Sequence, residues 1–232
     1  MIIYAMKKAF ERYNLKMPEE MHNSFAASVS KAIIKKESGD RLCEWGAKLF
    51  YFTGKKCLLL TNFETKLCIV LVDFKVCNLA EIGDWIITYL IELYKNDKEM
   101  LDCMEIFFSE HLICCFSRLK DKTAISVLNQ AESDYLFYGD RFYDFLEGNV
   151  LQTKKLVHNM NFDRLLGYKD ENGNKYYEFP GVKFREAMIK RYGNRAKELH
   201  PPIGSPFAIH RTHKRKAPLR ALFLRRKIKL FR

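Results

Sequence analysis

Residues 48–73 read KLFYFTGKKCLLLTNFETKLCIVLVD, three apolar runs separated by short polar breaks. The runs 48–53, 56–62 and 66–73 are rich in Leu, Ile, Val and Phe, and each has the length of a strand. Gly54-Lys55 and Phe63-Glu64-Thr65 leave room only for tight connections, which predicts an antiparallel meander. The flanking sequence reads mostly as helix. The expected class is therefore α+β: an antiparallel β-meander sheet packed with several helices, followed by a basic C-terminal tail.

Outward from the meander, residues 1–5 form a short extended segment that leads into the charged stretch 7–13. Pro18 with Glu19 and Glu20 opens a helix towards Lys36, because proline suits a first turn and acids favour the positive end of the helix dipole. Ser38-Gly39-Asp40 ends that helix. Residues 79–94 place Ile82, Ile86, Leu90 and Leu93 on one side at helical spacing. A second helix over 99–111 and a strand over 112–117 follow. Residues 121–146 read as one long helix with Tyr135, Tyr138, Phe142 and Phe145 as an aromatic stripe. Asp170-Glu171-Asn172-Gly173-Asn174 is a turn signal between strands at 165–168 and 176–179. A last helix over 182–192 ends at Gly193, read as its C-terminal cap. Pro201-Pro202-Ile203-Gly204-Ser205-Pro206 suits neither helix nor central strand. The organisation is a globular body (1–198), a Pro-rich linker (199–206) and a basic amphipathic tail (207–232).

Several segments resemble an uncharacterised family of small bacterial proteins, catalogued only as a domain of unknown function. They are Trp45 with Leu49-Phe50, then Lys55-Lys56-Cys57-Leu58-Leu59-Leu60-Thr61-Asn62 and Thr65. Further on come Asp121-Lys122-Thr123-Ala124-Ile125-Ser126-Val127-Leu128-Asn129 and Phe179-Pro180-Gly181-Val182-Lys183-Phe184. The resemblance covers about residues 1–192 and makes no claim on the tail. It implies a setting in bacterial genomes or phage and other mobile elements, and it supplies no catalytic residue.

Charge is distributed very unevenly. Residues 199–232 carry ten Lys/Arg and no Asp or Glu. The rest of the chain holds 30 basic residues against 28 acidic, so nearly all of the net charge of +12 belongs to the tail. A cationic appendage on a near-neutral body points to a polyanionic partner. Residues 210–216 form a compact cluster, His210, Arg211, His213, Lys214, Arg215 and Lys216 around Thr212. Beyond it, Arg220, Arg225, Arg226, Lys227, Lys229 and Arg232 alternate with Leu219, Leu222, Phe223, Leu224, Ile228, Leu230 and Phe231. As a helix this segment would put Leu219, Leu222, Phe223 and Leu230 on one side, with Arg226 close to it.

Three readings of the tail stand. The cations could neutralise phosphates while the aromatics stack on bases. The segment could lie on a membrane surface with Phe223 in the headgroup boundary. Its apolar side could dock back on the body, leaving the charges solvated. Nucleic acid leads, because the cations at 210–216 precede the amphipathic part, where no apolar face requires them.

The body offers less. The seven cysteines are odd in number, sit mostly in apolar runs and form no C-x-x-C, which reads as reduced core thiols in a cytoplasmic protein. The N-terminal order of apolar and charged residues is the reverse of a signal peptide, and no run approaches a bilayer span. His210 and His213 are half a metal site with no acid or thiol beside them. Cys114-Cys115 has His111 as its only nearby base. Asp134, Asp140, Asp144 and Glu147 are the densest acids; Asp140 and Asp144, four apart on a helix, would share a face able to hold a divalent ion. The aromatic stripe beneath them instead reads as an ordinary amphipathic helix with a solvated acidic face. No catalytic residue, metal site or cofactor is assigned.

The expected function is that of a non-enzymatic cytosolic binding protein engaging nucleic acid, RNA or DNA, or a ribonucleoprotein through the twelve tail residues from His210 to Arg232 named above. One alternative is a mobile-element accessory protein that binds and inhibits a host defence complex, with aromatics of the region 135–143 as anchors. The other is a metal-dependent enzyme on nucleic acid, with Asp140 and Asp144 around the ion.

Overall fold

Thr53 and Gly54 both take left-handed backbone angles, φ +46° and +74°, the geometry with which a two-residue loop follows the twist of its flanking strands. This turn joins β2 (Glu44–Phe52) to β3 (Lys55–Asn62), with Trp45 opposite Asn62 and Phe52 opposite Lys55. β4 (Cys68–Val72) pairs antiparallel with β3. The meander is present as read, with its first turn one residue earlier. Buried Asn62 closes the second connection: its side-chain oxygen accepts from the N–H and hydroxyl of Thr65 at 3.1 and 3.0 Å, and its amide donates to the Leu42 carbonyl at 2.9 Å.

The computed structural model describes residues 1–21, 24–111, 113–136 and 141–199, and its main sheet is larger than the meander. β1 (Ile2–Ala5) lies parallel to both β2 and β5 (Cys115–Arg118), giving the strand order β4-β3-β2-β1-β5. Parallel neighbours need crossovers. α1 (Lys7–Arg12) and α2 (Phe25–Glu37) carry the chain from β1 to β2. α3 (Ile82–Leu93) and α4 (Lys98–Glu110) lead from β4 to β5.

Strand alternation divides the core in two. Ile3, Ala5, Trp45, Ala47, Leu58, Leu60, Ile69 and Leu71 pack with residues of α1, α3, α4 and α7 (Pro180–Leu199). Phe50, Phe52, Cys57, Leu59, Cys68 and Val70 pack with α5 (Lys122–Leu136) and α6 (Thr153–Phe162). Gly46 permits the closest approach of α5: a Cβ there would lie 2.8 Å from both Leu128 Cδ1 and Phe63 Cε1. Asn161 of α6 covers the edge of β4, bonding the Cys68 N–H and carbonyl at 2.8 Å each. This satisfies backbone groups that an edge strand would leave open. Two small hairpins complete the described fold, β6 (Leu146–Glu147) with β7 (Val150–Leu151) and β8 (Leu166–Lys169) with β9 (Lys175–Glu178). The second is the hairpin expected around Asp170–Asn174.

Three helix boundaries differ from the expectation, each for a local reason. Pro18–Glu20 makes only a 3-10 turn; α2 starts later, where the Ser24 hydroxyl accepts from the Ala27 N–H at 3.1 Å and so caps the first turn. The expected long helix 121–146 is α5 alone, and a separate 3-10 turn spans Tyr143–Phe145. Between them the Phe142 N–H bonds to the Tyr135 carbonyl at 3.2 Å, a spacing no α-helix contains. Tyr135 and Phe142 meet ring to ring at 6.2 Å and do not stand on one helical stripe; Tyr138 lies outside the described residues. Finally, α7 passes through Gly193, which is buried in the helix and does not cap it. Contact along α4 carries α7 past a residue that would end an isolated helix.

Candidate functional site

Glu37 is the last residue of α2 and is almost fully buried, an expensive place for a carboxylate unless it is paired. Its Oε1 lies 2.8 Å from His111 Nδ1 and its Oε2 lies 2.7 Å from the Met1 ammonium. Burial alone would raise this carboxyl; the hydrogen bonds from His111 and the ammonium hold it below its usual value. His111 is the C-cap of α4 and is also buried. Its Nδ1 is 3.5 Å from the Sγ of Cys43, and its Nε2 is 3.3 Å from the Tyr192 hydroxyl of α7. Cys43, fully buried just before β2, points its thiol at Asp40 Oδ2, 3.3 Å away. Asp40 is in turn held bidentately by Arg191 of α7 at 2.7 and 2.5 Å.

Four elements therefore meet at one end of the sheet: the end of α2, the segment into β2, the end of α4 and the middle of α7. Donor atoms of Glu37, Cys43 and His111 lie within 4.8 Å of one another. Burial, together with the neighbouring Asp40 carboxylate, pushes the Cys43 thiol far up. Thiol catalysis does not suit this geometry. One imidazole nitrogen, Nδ1, faces both Glu37 and Cys43, whereas a base that activates a thiol uses one nitrogen for the thiol and the other for its orienting carboxylate. What the arrangement offers is a compact set of N, O and S donors.

His111, the one histidine near Cys114-Cys115 in sequence, turns its ring to Cys43. Burial pushes the Cys115 thiol up to about 11 and the Cys114 thiol to about 12, so both are inert. All seven cysteines are free thiols. The acidic group is dispersed: Asp134 pairs with Arg164, Glu147 with Lys155 at 2.5 Å, and Asp144 sits in the Tyr143–Phe145 turn. Asp140 lies outside the described residues, and no described helix places it on a common face with Asp144. Tyr135 and Phe142, expected as anchor residues, are core; Tyr143 beside them is exposed. The Asp170 carboxylate accepts from the N–H groups of Asn172 and Asn174 at 2.9 and 2.7 Å, the local pattern of a turn. The twelve tail residues from His210 to Arg232 lie outside the described residues.

The arginines of the last helix are matched by acids of other elements. In α7, Arg185 meets Asp97 and Glu99, Arg191 meets Asp40, Arg195 meets Glu110 and Lys197 meets Glu99. A cleft of about 510 Å³ is lined by Asp73, Lys75, Trp85, Tyr89 and Thr153 among others; Asp73 and Lys75 face each other at 3.5 Å, so their charges cancel there. Among the described residues no helix is long and apolar enough to cross a membrane.

The pattern of a family described as a domain of unknown function (DUF6933) matches residues 2–181. The chain belongs to this family. No curated protein matches it. The DUF6933 span contains Glu37, Asp40, Cys43 and His111 and stops before Arg191 and Tyr192. Glu37, Asp40 and Cys43 escaped the sequence reading because their partner His111 lies 68 residues or more away in the chain. Their regular spacing of three, a carboxylate, a carboxylate and a thiol, was the one available signal.

Proposed function

We propose that this DUF6933 protein is a non-enzymatic cytoplasmic binding protein that engages nucleic acid, alone or in a ribonucleoprotein, through the cations of residues 207–232. One observation carries the reading: ten Lys/Arg without a single acid in residues 199–232, against a near-balanced remainder. Cations in such a run gain most from a phosphate backbone, where each neutralised phosphate releases condensed counterions. Support comes from the body, whose last helix pairs its arginines with acids of other elements and leaves little net charge to attract a polyanion. Free thiols throughout agree with a reducing compartment.

The test is binding of labelled RNA and DNA by the full chain and by a chain ending at Ser205, across salt. With six or more phosphates neutralised, the affinity of the full chain falls about 10³-fold between 50 and 200 mM salt. Intact binding by the truncated chain overturns the proposal. Capture of partners from bacterial lysate after nuclease treatment separates it from the alternative, an accessory protein that inhibits a host complex: a protein partner that survives nuclease favours the alternative.

A further inference from the structure

We propose that Glu37, Cys43 and His111 form a binding site for a zinc-class divalent metal ion, with Asp40 beside the fourth coordination position. The inference is independent of the nucleic-acid reading. It rests on four observations about one cluster.

The donor types come first. One imidazole nitrogen, one thiol and one carboxylate are the ligand chemistry of Zn²⁺, which takes N, S and O donors in tetrahedral geometry. Spacing comes next. Bond lengths of about 2.3 Å to sulfur and about 2.0–2.1 Å to nitrogen or oxygen give tetrahedral edges of about 3.5 Å for S···N and S···O pairs. Cys43 Sγ lies 3.5 Å from His111 Nδ1, so that edge is close to formed, and Asp40 Oδ2 stands 3.3 Å from the sulfur. The Nδ1···Oε1 edge to Glu37, 2.8 Å, is a hydrogen bond and opens by about half an ångström when an ion replaces the shared proton.

The surrounding shell is the third observation. A metal-bound histidine donates its other N–H to an oxygen that fixes the ring. Tyr192 Oη stands at that position, 3.3 Å from His111 Nε2. Arg191 likewise orients Asp40 through two hydrogen bonds. The last observation is access. Glu37, Cys43 and His111 are buried, while the Asp40 side chain is 23% exposed and opens the cluster on one side.

Binding is proton-balanced. The ion takes the Cys43 sulfur as thiolate, and the thiol proton leaves to solvent past Asp40. In the metal-free chain the imidazole proton sits on Nδ1, shared with Glu37 Oε1; on binding it moves by way of solvent to Nε2, where the Tyr192 hydroxyl accepts its hydrogen bond, and the Nδ1 lone pair takes the ion. No electron is transferred. The ion links the ends of α2 and α4 to the start of β2, and its consequence is stability of the body.

The experiment uses the full chain, first freed of metal with chelator under native conditions and then titrated with Zn²⁺ or Co²⁺. We expect about one equivalent of tightly held metal per chain, a rise in thermal midpoint with Zn²⁺ that chelator reverses, and a thiolate-to-cobalt charge-transfer band with Co²⁺. C43S keeps the residue small and leaves the other six cysteines in place; it removes the band while circular dichroism shows a folded chain. Two results overturn the site: unmodified chain that holds no stoichiometric zinc after titration, or a cobalt–thiolate band that persists in C43S. Should C43S not fold, cobalt titration of the unmodified chain decides, since a stoichiometric cobalt complex without a thiolate-to-cobalt band refutes the proposal.

Discussion

Helix α7 and the tail that follows it are both rich in Arg and Lys, yet they differ in the acids available to meet those charges. In α7, Arg185, Arg191 and Arg195 each reach an acid contributed by a distant element, Asp97, Asp40 and Glu110. These cations clamp the helix onto the ends of α2 and α4. The tail has cations of the same kind and no acid among them. A cation's meaning thus depends on where its counter-charge comes from: in α7 the fold supplies it, and for the tail we propose that a polyanion does.

The largest test of this contrast is truncation at Ser205. Affinity for nucleic acid at low salt should drop by about 10³-fold or more, read by fluorescence anisotropy, while the melting temperature of the body stays unchanged. A body that keeps the affinity erases the distinction. From the other side, Arg191→Met removes a clamp. It should lower stability by about 1 kcal/mol, because the pair is bidentate yet partly exposed, and leave nucleic-acid affinity unaltered. Chemical denaturation and the same anisotropy assay check both halves.

Acid should loosen the clamps. Burial would raise the Asp97 carboxyl, but hydrogen bonds from Arg185 and the Met100 N–H hold it below its usual value. A depressed folded value adds stability that is present above the unfolded carboxylate value of about 3.9 and is lost as pH falls through the folded one. Asp97→Asn should therefore be less stable than the unmodified chain at neutral pH, and the difference should shrink below about pH 4 in acid melts. The smallest effect is expected from one tail cation: Lys227→Ala should lower the slope of log affinity against log salt by about 1 without touching stability.

Much of the fold was legible because its signals are local. The apolar runs between 48 and 73 and the turn residues at Asp170–Asn174 specify their hairpins through strand alternation and left-handed turn geometry. Ile82, Ile86 and Leu90 announced α3 by period and are all buried. The errors fell where a non-local contact overrides the local signal. Gly193 continues a helix because α4 supports it, and Tyr135 and Phe142 pack ring to ring where one helical stripe was read.

The chain's own chemistry determined the meander, the helices with strong period and the split between a near-neutral body and a cationic tail, since each depends on residues close in sequence. Tertiary structure alone decided that β1 lies parallel between β2 and β5 and that Glu37, Cys43 and His111 converge. Both are long-range pairings, and composition and spacing carry no information on which end of one element meets which end of another. That choice is made by burial: β1 takes an interior place between β2 and β5 because it is buried along nearly its whole length, and the buried donors meet because each polar group taken from water needs a partner.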